Sequence, residues 1–94
     1  MKILVVEYDG AIARILSAGL TSALKHPVDV ARDGVEGLLM ALSQNYALVI
    51  LDWMLPGISG VEVCAELHAR RIGLPIVILK RYAGARIRAP VCSG

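Results

Sequence analysis

Apolar residues occur along this chain in two alternating patterns, short continuous runs and longer stretches in which they recur every three or four positions. Four short strand-like segments cover residues 3–6, 28–31, 47–51 and 76–79, and all except the second, which contains Asp29, are continuous apolar runs. Runs of this length without polar interruption are typical of strands that a parallel sheet buries on both faces. The alternation of strands and helices predicts an α/β fold, a doubly wound parallel sheet with right-handed crossovers.

Three helices are predicted between these runs, and each has an apolar face. They cover roughly residues 11–25, 34–42 and 60–71, and two capping boxes, Asp33 with Glu36 and Ser59 with Glu62, mark the beginnings of the second and third. The faces predicted to be buried comprise Ile12, Ile15, Leu16, Leu20 and Leu24 in the first helix and Val35, Leu38, Leu39 and Leu42 in the second.

Length and composition limit the chain to one globular domain without a membrane span. It has 94 residues, of which 56% are hydrophobic, and no apolar run approaches the about 20 residues that cross a bilayer. No signal peptide is predicted at the beginning of the chain. The two cysteines, Cys64 and Cys92, make neither a disulfide framework nor a metal knuckle. A cytoplasmic location fits these features best.

Charge divides the chain into two parts. Residues before position 80 carry a net charge of −2, whereas the last fifteen carry +4. We therefore expect a domain over residues 1–80 and a basic irregular tail over residues 81–94. Because the tail has no interleaved aromatic residues and no groove-reading helix, nucleic-acid binding is not expected.

Candidate chemistry lies directly after the apolar runs, because ligands of open parallel sheets bind beyond the carboxyl ends of the strands. Glu7 and Asp9 follow the first run, Asp52 follows the third, and Lys80 follows the fourth. Clustered carboxylates suit a hydrated Mg²⁺, and a metal-supported carboxylate can attack a phosphoryl group. The alternatives are structural, with Asp9 as a helix cap and Asp52 as a solvated strand end.

Several segments resemble the receiver domains of response regulators in two-component signalling. They are MKILVVE at residues 1–7, DGVEGL at 33–38, LVILDWMLPGISG at 48–60 and LPIVIL at 74–79. The resemblance implies a flavodoxin-like sheet of order 2-1-3-4 and phosphoryl transfer from a histidine kinase. It also implies that Asp52 accepts the phosphoryl group, that Glu7 holds Mg²⁺, and that Met54 offers its backbone carbonyl to the metal.

Three departures from that pattern put Mg²⁺-dependent chemistry in doubt. Tyr8 stands where the family has a second metal-binding acid, and Asp9 is a candidate substitute for it. Lys80 stands where the family has a serine or threonine, and we expect its ammonium to pair with Asp52. The family's fifth strand, with its lysine, and its last two helices have no counterpart, which predicts a truncated domain of four strands and three helices.

Two functions of different classes follow. The first is a phosphoacceptor module whose only catalysis would be its own phosphorylation at Asp52. The second is a pseudo-receiver that keeps the fold and acts as an interaction module, and the three departures favour it. An exposed edge at residues 76–79 further predicts a homo-oligomer.

Overall fold

The structure, a computed structural model, describes residues 2–70, 73–81 and 87–88. Its strands are β1 (Lys2–Val6), β2 (Val28–Ala31), β3 (Tyr46–Asp52), β4 (Ile76–Arg81) and β5 (Ile87–Arg88), and its helices are α1 (Gly10–Leu24), α2 (Gly34–Ser43) and α3 (Gly60–Arg70). The described part of the chain contains no helix that is both long enough and apolar enough to span a bilayer.

The first four strands form the predicted parallel sheet. Its order is β2-β1-β3-β4, with β5 added beyond β4. The prediction of an α/β sheet of order 2-1-3-4 with three helices is confirmed. The last two residues of β4, Lys80 and Arg81, pair antiparallel with β5. The sequence predicted an irregular chain after Lys80, and this short strand was missed because its two residues show no periodicity.

Helices cover the two faces of the sheet unequally. Helices α2 and α3 enclose the larger core, in which Leu4, Leu51, Val63, Leu67 and Ile76 are buried. Helix α1 covers the other face, where Ile3, Val5 and Ile50 are buried against it. Cys64 of α3 is 1% exposed and belongs to the larger core.

Four residues predicted to lie on the buried helix faces are exposed instead: Ile15, Leu24, Val35 and Leu39. The buried residues are smaller, Ala13 in α1 and Gly34, Gly37 and Ala41 in α2. A Cβ on Gly37 would lie 2.7 Å from a methyl carbon of Val6, so α2 approaches the sheet more closely than a row of leucines allows. The periodicity of large apolar residues located the helices correctly. It placed the buried faces partly wrong, because the glycine and alanine residues that pack against the sheet were not counted as hydrophobic.

The Ser59–Glu62 capping box is confirmed, and Asp33 is confirmed as the N-cap of α2, although Glu36 accepts the N–H of Arg32 and not that of Asp33. Asp33 accepts the backbone N–H of Glu36 at 2.8 Å, and Ser59 Oγ accepts that of Glu62 at 3.2 Å. Glu62 Oε1 in turn accepts from the Ser59 hydroxyl at 3.3 Å. These bonds satisfy N–H groups that a helix cannot pair internally, and they set where α2 and α3 begin.

A polar cluster closes the amino ends of β1 and β3. The Tyr46 hydroxyl donates to Asp29 Oδ2 at 2.8 Å, and Lys2 Nζ lies 3.4 Å from the same oxygen. Burial raises the pKa of the Tyr46 hydroxyl, and the hydrogen bond to Asp29 and the charge of that carboxylate raise it further. This cluster lies at the end of the sheet opposite the carboxyl ends of the strands.

The connection from β3 to α3 depends on a glycine. A Cβ on Gly60 would lie 2.4 Å from the backbone oxygen of Asp52, closer than such atoms approach. The contact is with backbone, so the loop itself would have to move to make room. Gly57 in the same loop has a φ of 84°, a left-handed conformation that favours glycine.

We therefore expect Gly60→Ala to lower the free energy of unfolding by about 1–3 kcal/mol. Gly19→Ala is the matched control, because Gly19 lies within α1 and a Cβ there would meet nothing within 4 Å. That control should raise stability by about 0.5–1 kcal/mol. Urea unfolding followed by circular dichroism measures both, and equal effects of the two substitutions would contradict the close-packing account.

Candidate functional site

Two buried carboxylates lie side by side at the carboxyl ends of the central strands. Val6 pairs with Leu51 in the parallel register of β1 and β3, so Glu7 and Asp52 each follow a paired residue at the same edge. Glu7 is 2% exposed and Asp52 is 4% exposed, and no other charged residue in the described part of the chain is buried. The predicted meeting of these two acids is confirmed at the level of strand register.

The loop after Asp52 is held by backbone hydrogen bonds. The Trp53 N–H donates to the Leu79 carbonyl at 2.9 Å, and the Gly60 N–H donates to the Trp53 carbonyl at 3.2 Å. The Met54 N–H points back to Asp52 Oδ1 at 3.4 Å. Met54 is 77% exposed, and it is its backbone N–H that faces the Asp52 carboxylate.

The loop after Glu7 is fixed at both of its ends. The Glu7 N–H donates to the Ala31 carbonyl at 2.9 Å, and the Asp9 N–H donates to Glu7 Oε2 at 3.1 Å. Asp9 Oδ1 accepts the N–H groups of Ala11 and Ile12, at 2.9 and 3.2 Å, and thereby caps α1. Asp9 is therefore the N-cap of α1, as the structural alternative predicted, and its role as a metal ligand stays a prediction.

Arg32 belongs to this site although the sequence analysis did not select it. Its Nε and Nη2 donate to the Tyr8 backbone carbonyl at 3.0 and 2.8 Å. Arg32 directly follows β2, so the rule that singled out residues after the other strands applied to it as well. Its role was not predicted, because Arg32 contacts a backbone carbonyl, and no residue type in the sequence reveals such a contact.

A shallow cavity of about 390 Å³ lies between the loop after Glu7 and the loop after Asp52. It is lined by Tyr8, Arg32, Asp33, Val35, Pro56 and Gly57. Tyr8, one of the lining residues, is 60% exposed. The residue that replaces the family's second acid thus contributes an exposed ring to this surface, where the resemblance would place a carboxylate.

The donor set suits a weakly held Mg²⁺ better than a dedicated metal cage. Among the described residues, no group of three or more His, Cys, Asp or Glu is arranged to hold a metal. Two carboxylates, Glu7 and Asp52, are nevertheless present beside the backbone of Met54. Mg²⁺ keeps several waters and is commonly bound through one or two carboxylates, so these residues fit it. The Lys80 side chain, the predicted partner of Asp52, lies outside the described residues.

Comparison with known proteins agrees with the fold. Residues 3–89 match the response regulator receiver domain family. Response regulator ArlR of Staphylococcus aureus is 42% identical over 78 residues, which cover 83% of this chain and 35% of that protein. The chain therefore spans about a third of the length of the curated relatives that it matches.

Solved structures give the same picture. Response regulator TrrA of Thermotoga maritima in complex with Mg²⁺-BeF is 37% identical with a TM-score of 0.83, covering 88% of this chain and 71% of that one. TrrA in complex with histidine kinase ThkA is 38% identical with a TM-score of 0.80, covering 87% of this chain and 70% of that one. Because the family match extends over most of its length, this chain belongs to the response regulator receiver domain family, the receiver module of two-component systems.

Proposed function

We propose that this receiver domain accepts a phosphoryl group on Asp52 from the phosphohistidine of a histidine kinase or from a small phosphodonor. The observation that carries the proposal is the buried pair of Glu7 and Asp52 at adjoining strand ends. Burying a carboxylate costs free energy unless a cation, a metal or hydrogen-bond donors compensate its charge, and two such groups at one edge are typical of functional sites. The complex of TrrA with a kinase supports a kinase as the donor.

Each residue of the site has a distinct part in the proposed reaction. An Asp52 carboxylate oxygen attacks phosphorus and forms an acyl phosphate, while the bond from phosphorus to the donor breaks and the donor keeps that electron pair. The loop bonds of Trp53 and Gly60 hold the Asp52 backbone in place for this attack. Glu7, Asp52 and the Met54 carbonyl would hold Mg²⁺, which supplies charge stabilisation for the transferring oxygens when bound.

The alternative, an interaction module without phosphotransfer, rests on the three departures from the family's pattern, of which Tyr8 and Lys80 concern the site itself. The comparisons do not favour it, since the segment around Asp52 keeps the family's pattern and the matching relatives are response regulators. What Tyr8 changes is the strength of metal binding, because a neutral phenol is a poor ligand for a hard cation. If Lys80 pairs with Asp52, its charge would compete with the metal as well. A cytoplasmic location, where a kinase would meet the domain, is part of this proposal.

The proposal predicts that Mg²⁺ and acetyl phosphate add one phosphoryl group to the protein. Intact mass spectrometry should show the gain in wild type and none in Asp52→Asn, because the amide is not a nucleophile of comparable strength. Asp29→Asn is the matched control, since Asp29 lies at the opposite end of the sheet. A mass gain that persists in Asp52→Asn, or is absent from wild type, would refute phosphorylation at this residue.

A second prediction concerns Tyr8. Replacing it with aspartate adds a carboxylate beside Glu7, and we expect Mg²⁺ affinity to rise roughly tenfold because affinity follows the number of charged ligands. Tyr8→Asn removes the ring without adding charge and serves as the control. Titration with Mg²⁺, followed through the fluorescence of the adjacent Trp53, measures both. Equal affinities for the two variants would mean that position 8 does not reach the metal.

We also propose that the chain self-associates through β4. In the described residues, no strand pairs with Ile76–Leu79 on the side away from β3, since β5 meets only Lys80 and Arg81. Apolar strand edges readily pair with another chain. Sedimentation velocity across a concentration series should therefore show a dimer or larger species, and Val77→Lys, checked for folding by circular dichroism, should weaken it. A monomer at every concentration would exclude this assembly.

A further inference from the structure

One peptide group links Arg32 to Glu7. The carbonyl of the Tyr8–Asp9 peptide accepts both Arg32 hydrogen bonds, at 3.0 Å from Nε and 2.8 Å from Nη2. The N–H of the same peptide donates to Glu7 Oε2 at 3.1 Å. The Arg32 guanidinium thus bonds to the C=O of one planar peptide group, and the Glu7 carboxylate bonds to the N–H of the same group.

The rigidity of the peptide bond couples these two contacts. No peptide bond in the described ranges is cis, so the Tyr8–Asp9 peptide is trans, and its C=O and N–H point in opposite directions within one plane. Fixing the carbonyl against Arg32 therefore aims the N–H at Glu7. If the plane rotated by half a turn, the carbonyl oxygen would face the carboxylate and repel it. The positive charge of Arg32 also polarises the peptide and makes its N–H a stronger donor.

Arg32 is itself held in place from two sides. Its backbone N–H donates to Glu36 Oε1 at 2.8 Å, in the first turn of α2. Its guanidinium lies over the first residue of α1, where a Cβ on Gly10 would be 3.4 Å from Nη2. The side chain is consequently braced by the beginnings of two helices, although the residue is exposed.

We propose that Arg32 is a positioning residue of the phosphoacceptor site, which orients Glu7 through the Tyr8–Asp9 peptide. The inference rests on the proposed function, in which Glu7 holds Mg²⁺. A carboxylate that is 2% exposed needs fixed donors to keep one rotamer, and the Asp9 N–H is one of them. Because Tyr8 stands in place of a second acid, Mg²⁺ affinity depends more strongly on the orientation of Glu7.

The first measurement tests the link without any metal. In metal-free protein, Arg32→Ala should accelerate hydrogen exchange at the Asp9 amide, because the peptide can then turn away from Glu7. Arg32→Lys should fall between wild type and Arg32→Ala, since an ammonium can donate to the same carbonyl but lacks the planar fork. Arg70→Ala is the matched control, an exposed arginine at the end of α3 whose ion pair is with Glu66 of the same helix.

The second measurement tests the consequence for the metal. Mg²⁺ titration of Arg32→Ala should show about tenfold weaker binding, the size of effect seen when a residue that orients a metal ligand is removed. Arg70→Ala should bind as wild type does. A urea titration accompanies each variant, because a purely structural role would change the unfolding midpoint and leave Asp9 exchange in the native state unchanged.

The outcomes separate the two proposals. Faster Asp9 exchange together with weaker Mg²⁺ binding in Arg32→Ala supports the positioning role. Wild-type Asp9 exchange in Arg32→Ala, or unchanged Mg²⁺ affinity, overturns it while leaving phosphorylation of Asp52 intact. If wild type binds no Mg²⁺ and gains no phosphoryl group, the proposed function fails and the positioning role for Mg²⁺ fails with it. A persisting change in Asp9 exchange would then show a link between Arg32 and Glu7 that serves no metal.

Discussion

The site depends on the parallel register between β1 and β3. Pairing of Val6 with Leu51 places the next residue of each strand at one edge, and those residues are Glu7 and Asp52. A shift by one residue would turn one of these side chains to the other face of the sheet. The apolar strands on either side, together with the helices above and below, exclude water from this edge. The register of β1 and β3 therefore accounts both for the adjacent positions of Glu7 and Asp52 and for their burial.

Most of the fold could be predicted from sequence because its elements are strongly patterned. Four strand-like segments and two pairs of capping residues predicted the strands, the helices and their order, and the segment around Asp52 identified the family. The helix faces were harder, since Gly37 and Ala41 pack against the sheet while Leu39 does not. Close packing is decided by volume, which a count of hydrophobic residues does not represent.

The site was predicted in part for a related reason. Carboxylates at strand ends are conspicuous in a sequence, so Glu7 and Asp52 were found. Arg32 acts through a backbone carbonyl that belongs to another residue, and a backbone group has no mark in the sequence. The short β5 was missed because two residues show no pattern. The role of Lys80 stays a prediction, since its side chain lies outside the described residues.

The two loops that build the site are braced by separate sets of contacts. Backbone hydrogen bonds of Trp53 and Gly60 hold the loop after Asp52, whereas the cap of Asp9 and the guanidinium of Arg32 hold the loop after Glu7. Evolution can therefore alter one loop while the other keeps its shape. Such modularity explains how Tyr8 was accommodated without loss of the scaffold, and it would allow a receiver lineage to tune or abandon metal dependence in small heritable steps.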